Sequence, residues 1–139
     1  MNGPTDRPAE RTALLQDRIE AVMKRFEDEA RWEYTVLFSS EGLPLASHGK
    51  PTRYNEENLL EFAFSLIDAV RLLGDQPGVK ELWIRGREGR NLVFRYFDAW
   101  GDPMILAAVV TGRKGYRKAM SDLVRHIQAL GSDPAGPAR

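Results

Sequence analysis

The sequence predicts an α+β fold in three layers, α/β/α: a five-stranded antiparallel sheet with one central helix on one face and two terminal helices on the other. Three observations predict it. The apolar residues change period several times along 139 residues, giving the order α-β-β-α-β-β-β-α. The loops between the last three strands are short, which makes antiparallel neighbours. The terminal helices each carry a single apolar stripe, whereas the central helix carries more apolar residues than one face can hold.

From Pro8 to Ala30, Leu15, Ile19, Val22 and Phe26 recur at helical spacing, and Pro8 suits a first turn. Tyr34, Val36 and Phe38 then alternate with Thr35 and Leu37 as a strand. Glu41-Gly42 permits a tight reversal into a second strand, Leu43 to Ser47, with Pro44 expected near its start because it cannot donate a hydrogen bond. This hairpin reads as architecture.

Asn55 is placed to cap a helix running to about Leu73, with Glu56 and Glu57 in its first turn and Gly74 as its stop. Leu59, Phe62, Ala63, Leu66, Val70 and Leu73 form one stripe, and Leu60, Phe64 and Ile67 form a second beside it. Two stripes imply that the helix is covered from two directions. Strands follow at Val79 to Arg85, Asn91 to Phe97 and Met104 to Val110, and the last, "MILAAVV", is apolar enough to be buried on both faces. A helix from Tyr116 to Leu130 closes the order, with Gly131 as its stop. Residues 1–7 and 132–139 read as frayed ends around one domain, 8–131.

The chemistry expected is sparse. There is no cysteine, which removes disulfides and thiolate chemistry. No phosphate-binding G-x-x-x-x-G-K-[ST] motif occurs, and "TGRKGYRK", Thr111 to Lys118, has the wrong spacing for one. His48 and His126 have no histidine partner at metal-ligand spacing and read as surface polar residues. Glu27-Asp28-Glu29 reads as a solvated helix end, since consecutive helical positions point different ways. No catalytic, cofactor or metal residue is assigned, and the chain is expected to be no enzyme.

Twenty basic and twenty acidic residues cancel, so there is no global field to draw the chain onto nucleic acid or an anionic membrane. Arg85, Arg87, Arg90 and Arg95, interleaved with Trp83, Phe94 and Tyr96, superficially resemble a stacking platform for single strands. Alternation argues against it, because Phe94 and Tyr96 share the core-facing side with Leu92 while Arg95 points away. The charge is uneven along the chain: Met1 to Glu61 holds twelve acids and eight bases, and the remainder the reverse. Such asymmetry suits self-association. No apolar leader or membrane-length run is present, and a cytoplasmic location is the default expectation.

"VLFSSEGLPLAS", the central helix after Asn55 and "VKELWIRGREGRNLVFRYF" resemble the roadblock/dynein light chain family, over Trp32 to Leu130. The likeness is to its bacterial gliding-motility members. The resemblance implies a homodimer joined through the central helix and third strand, with Leu60, Phe64, Ile67 and Trp83 at the seam. It also implies a small Ras-like GTPase as partner, bound or stimulated by reshaping the GTPase's own site, so that no catalytic residue carries over. Glu57, Glu61, Asp68 and Arg71 would then form a polar binding edge. Trp100, in a tight polar turn, reads either as a further contact of the kind enriched at interfaces or as an indole folded back over the end of the sheet. The alternative is a small-molecule sensor with a profilin-like fold and a pocket between sheet and helix.

Overall fold

A computed structural model describes residues 8–72, 80–111 and 116–131, with side chains for 14–69, 80–111 and 116–130. The expectations placed on Val70, Leu73, Gly74, Val79, on the loop 112–115 and on both chain ends lie outside these residues. The elements are α1 (Pro8–Ala30), β1 (Trp32–Ser39), β2 (Pro44–Gly49), α2 (Glu56–Leu72), β3 (Glu81–Arg85), β4 (Arg90–Ala99), β5 (Asp102–Thr111) and α3 (Tyr116–Gly131). They match the expected order. The strands form one antiparallel sheet in the order β2-β1-β5-β4-β3.

β5 lies at the centre, and every residue from Met104 to Val110 is buried. Its alternation feeds two separate cores. Met104, Leu106, Ala108 and Val110 join Ile19, Met23 and Phe26 of α1 and Met120, Leu123 and Ile127 of α3. Ile105, Ala107 and Val109 join Phe38, Leu92, Phe94 and, from α2, Leu59 and Ala63.

β2 starts at Pro44, one residue later than expected, and runs two residues further, to Gly49. The turn before it is built by Ser39, whose Oγ accepts hydrogen bonds from the amides of Glu41 and Leu43, both at 3.2 Å. Gly42 turns the chain at φ +92°, and a Cβ there would stand 3.0 Å from the Phe64 ring and 3.7 Å from Leu60. The hairpin tip thus lies on α2. Part of the second apolar stripe of α2 is covered from within the chain.

The β4–β5 reversal is an exception to turn chemistry. Trp100 and Gly101 both have positive φ, +57° and +83°, between the paired Ala99 and Asp102. Two-residue hairpins of this hand favour Asn-Gly or Gly-Gly, and a bulky residue there is strained. Trp100 is held by packing its indole against the α1/α3 core.

Candidate interaction surface

The candidate surface is α2, with the β3 edge beside it. Asn55 caps α2 as predicted: its Oδ1 accepts the Asn58 amide at 2.9 Å, and Asn58 Oδ1 accepts the Asn55 amide at 3.1 Å. This reciprocal arrangement is a capping box with asparagine as its second member. Asn55→Ala is expected to cost about 1 kcal/mol, measurable by chemical denaturation.

Around the helix, Leu59 and Ala63 face the sheet, and Leu66 packs on the same core. At 100° per residue, Leu60 and Phe64 lie on one flank, under the Gly42 turn, with Ile67 near them. Phe62 lies on the opposite flank. Its spacing assigns it to the buried stripe, but it is 37 % exposed and meets the Tyr54 ring edge-on at 6.2 Å. The Tyr54 hydroxyl sits beside Gly86, just past the end of β3. Phe62 therefore marks the β3 side of α2. Glu57, Glu61 and Asp68 are exposed on the side of α2 away from the sheet. The Arg71 side chain lies outside the described residues.

Trp83 is 42 % exposed on β3, between half-buried Leu82 and Ile84, which face α2. Trp83 faces the α3 side, where Tyr116 and Arg117 flank it. Also on this side, Glu81 pairs with Arg95 and accepts the Tyr116 hydroxyl at 3.3 Å. Arg95 bonds Ser121 of α3 as well, at 3.2 Å. Arg90 bonds Glu33 at 2.8 Å and Glu88 at 2.9 Å. Two of the four hairpin arginines are thus tied into the fold, against a free basic platform.

The two sheet edges differ. At the β2 edge, the Lys50 amide bonds Glu33 O at 3.2 Å. Antiparallel alternation then turns the backbone groups of Ser47 and Gly49 outward, up to the register break at Leu45. The Ser47 amide donates to Glu20 Oε2 of α1 at 3.0 Å, and Pro44 has no amide hydrogen. That edge is blocked. At the other side, the β4 overhang is capped where Gln128 Nε2 of α3 donates to Asp98 O at 2.9 Å. No described residue covers the outer backbone groups of β3.

Two expectations are corrected on the α1 face. Glu27 is no solvated helix end: it is 6 % exposed. It follows Ile19, Met23 and Phe26 on the buried stripe, where its Oε2 accepts the Thr35 hydroxyl and its Oε1 accepts His48 Nδ1–H at 2.7 Å. His48 is accordingly half-buried and engaged rather than a plain surface residue. Burial pushes the Glu27 carboxyl above the ordinary range, against the lowering effect of the Thr35 and His48 hydrogen bonds. His126 is exposed, bonded to the Asp122 carbonyl and to Arg25.

Trp100 does not join α2. Its Nε1 and the Tyr96 hydroxyl are both buried and have no hydrogen-bond partner among the described residues, and burial pushes the Tyr96 pKa up to about 12. An open groove of about 1180 Å³ runs around the sheet end near the start of β3, lined among others by Phe64, Ile67, Lys80 and Tyr96. Among the described residues, no group of three His, Cys, Asp or Glu side chains is arranged to hold a metal. No described helix is long and apolar enough to cross a membrane.

No protein-family model and no curated protein matches the chain. Solved structures do. The roadblock/LC7 domain from Streptomyces avermitillis is 17 % identical, with 81 % of this chain and 96 % of that one covered at a TM-score of 0.52. The arrangement of sheet and helices is thus the roadblock fold, as the sequence resemblance implied.

Within that fold the likeness to MglB is greater. The gliding protein MglB from Thermus thermophilus is 16 % identical, covers 86 % of this chain and 92 % of its own, and superimposes at a TM-score of 0.70. Myxococcus xanthus MglB is 16 % identical over 83 % and 95 %, at 0.65.

Proposed function

We propose that the chain is a non-enzymatic homodimeric regulator or scaffold that binds a small Ras-like GTPase and stimulates its GTP hydrolysis. The observation that carries this reading is the fold shared with MglB over most of both chains. The exposed acids Glu57, Glu61 and Asp68 on the outer face of α2 supply the partner-binding edge, with Arg71 next along the helix. The dimer seam takes Trp83 and the half-buried Leu60, Phe64 and Ile67. Trp100, with its partly buried indole packed on the α1/α3 core, is offered as a further contact. A cytoplasmic setting goes with this reading.

A small-molecule sensor has less support. Under the middle of α2 the space is filled by Leu59, Ala63, Leu92 and Phe94, each at most 1 % exposed, and the groove beside Phe64 and Ile67 is open rather than enclosed.

The test is the solution mass of the chain alone, then with a small Ras-like GTPase loaded with GDP or a GTP analogue. A dimer that gains mass with one nucleotide state supports the regulator. Glu61→Lys and Asp68→Lys are expected to weaken that complex about tenfold or more, as reversal of an interface charge does. Unchanged binding in both variants removes α2 as the docking edge.

A further inference from the structure

The face of β3 turned away from α2 is uncovered and cationic. Trp83 and Arg85 are both exposed on it, and α3 meets them only through Tyr116 and Arg117 at its start. These four side chains line an open hollow of about 280 Å³. Phe62, the other exposed aromatic, meets the Tyr54 ring edge-on. The Trp83 indole instead has a guanidinium over it, that of Arg85 at 6.0 Å from the ring centre. Arg117 lies in the same way 5.9 Å from the centre of the Tyr116 ring.

The acid nearest the hollow is already engaged. Glu81 accepts from Arg95 and from the Tyr116 hydroxyl, which itself accepts from Arg117 Nε at 3.3 Å. Arg117 is 4.0 Å from Glu81 and 80 % exposed, so its remaining N–H groups face solvent. Arg85 has no carboxylate partner among the described residues. Two guanidiniums thus edge the hollow, each set over a ring, which reduces the ordering cost of using their donors. We propose that this hollow docks an acidic linear segment of a partner protein, with an apolar or aromatic side chain on the Trp83 indole and flanking carboxylates on Arg85 and Arg117. It lies across the sheet from the α2 edge and is a second partner site, independent of the GTPase reading.

Size and charge select this occupant. Pockets for small molecules bury most of the ligand and run to about 300–1,000 Å³, whereas this hollow is open and has room for about one or two side chains. A single-stranded nucleic acid needs a positive groove that follows its backbone, and only two cations line this site. Carboxylates match the arginine fork, which binds them through paired N–H donors. Tryptophan and arginine are also the residue types that carry most energy at protein interfaces.

A random peptide library displayed on phage and selected against the full chain is expected to return sequences rich in aspartate and glutamate around an aromatic or aliphatic residue. One selected peptide, made with a fluorescent label, is then followed by polarisation. Its binding is expected to weaken with added salt. Arg85→Gln and Arg117→Gln are each expected to raise its Kd about five- to tenfold, and Trp83→Ala about tenfold or more. Thermal melts and solution mass identify any variant that has lost its fold or changed its assembly. Arg117→Gln is the cleanest, since its side chain is largely in solvent and belongs neither to the α2 edge nor to the proposed seam. The same variant is expected to leave the GTPase complex unchanged, so the two readings fail separately. Selection of basic or uncharged peptides overturns the proposal, as does an acidic peptide whose Kd neither arginine substitution changes. Binding lost in Glu61→Lys but kept in Arg117→Gln places the peptide on α2 and overturns it too. A labelled oligothymidylate that binds more tightly than the selected peptide overturns it in favour of single-stranded nucleic acid.

Discussion

Gly49→Ala is expected to destabilise the fold by about 3–5 kcal/mol, the sum of a strained backbone and an overpacked site. Gly49 has φ +105°, which L side chains rarely adopt, and a Cβ there would lie 2.4 Å from the Glu33 carbonyl oxygen and 2.9 Å from the Tyr34 Cα. Both obstacles are backbone, so no rotamer change relieves them. A third, Glu27 Oε1 at 2.9 Å, belongs to the buried carboxylate that holds Thr35 and His48. The substitution therefore pushes β2 from β1 and loosens its attachment to α1 together. Urea unfolding reads the effect as a lower midpoint with unchanged slope. A loss under about 1 kcal/mol would show that the chain does not pass through this conformation. A variant that still folds is expected to aggregate faster, since loosening β2 from Glu20 exposes a second sheet edge. Gly42→Ala is the contrasting case: its close neighbour is the Phe64 ring, which can rotate, so its cost is mainly that of φ +92°.

Much of the architecture was legible in the sequence because it depends on period and on local caps. The single stripes of α1 and α3, the Asn55 cap and the apolar run of β5 each define their element without long-range information. The site was legible only in part. Glu27 looked solvated because three acids in a row suggest a helix end, yet its spacing of four from Met23 and eight from Ile19 places it on the buried stripe. His48 likewise shares the alternation of buried Ala46 on β2. The second stripe of α2 has no such local signal: only the fold shows that the Gly42 turn lies over Leu60 and Phe64, leaving Phe62 beside the open edge. Turn propensity gave no warning of Trp100 at positive φ, since packing against the α1/α3 core overrides it.

Glu27→Ala is expected to cost about 2–4 kcal/mol, because it leaves the fully buried Thr35 hydroxyl without its acceptor and opens a cavity beneath α1. Glu27→Gln is expected to cost much less. The amide oxygen still accepts from His48, and the amide nitrogen donates to Thr35 Oγ1, whose hydroxyl hydrogen can rotate away. The pair separates the carboxyl's charge from its hydrogen bonds. Burial raises the folded carboxyl above its unfolded value, so the folded chain holds this proton more readily. The stabilisation from the protonated form is therefore complete below the unfolded value, and it is lost as pH rises through the raised folded value. Glu27→Gln does not titrate. The stability of the unsubstituted chain relative to Glu27→Gln should thus climb as pH falls through that window, then level off. Other acids contribute the opposite slope: Glu33, although burial pushes its carboxyl up, is held below the ordinary range by hydrogen bonds from Thr52 and Arg90. The difference between the two curves removes that common background. A difference that stays flat, or falls with decreasing pH, would mean that Glu27 is charged and well paired in the folded state, so that its contacts with Thr35 and His48 outweigh its burial.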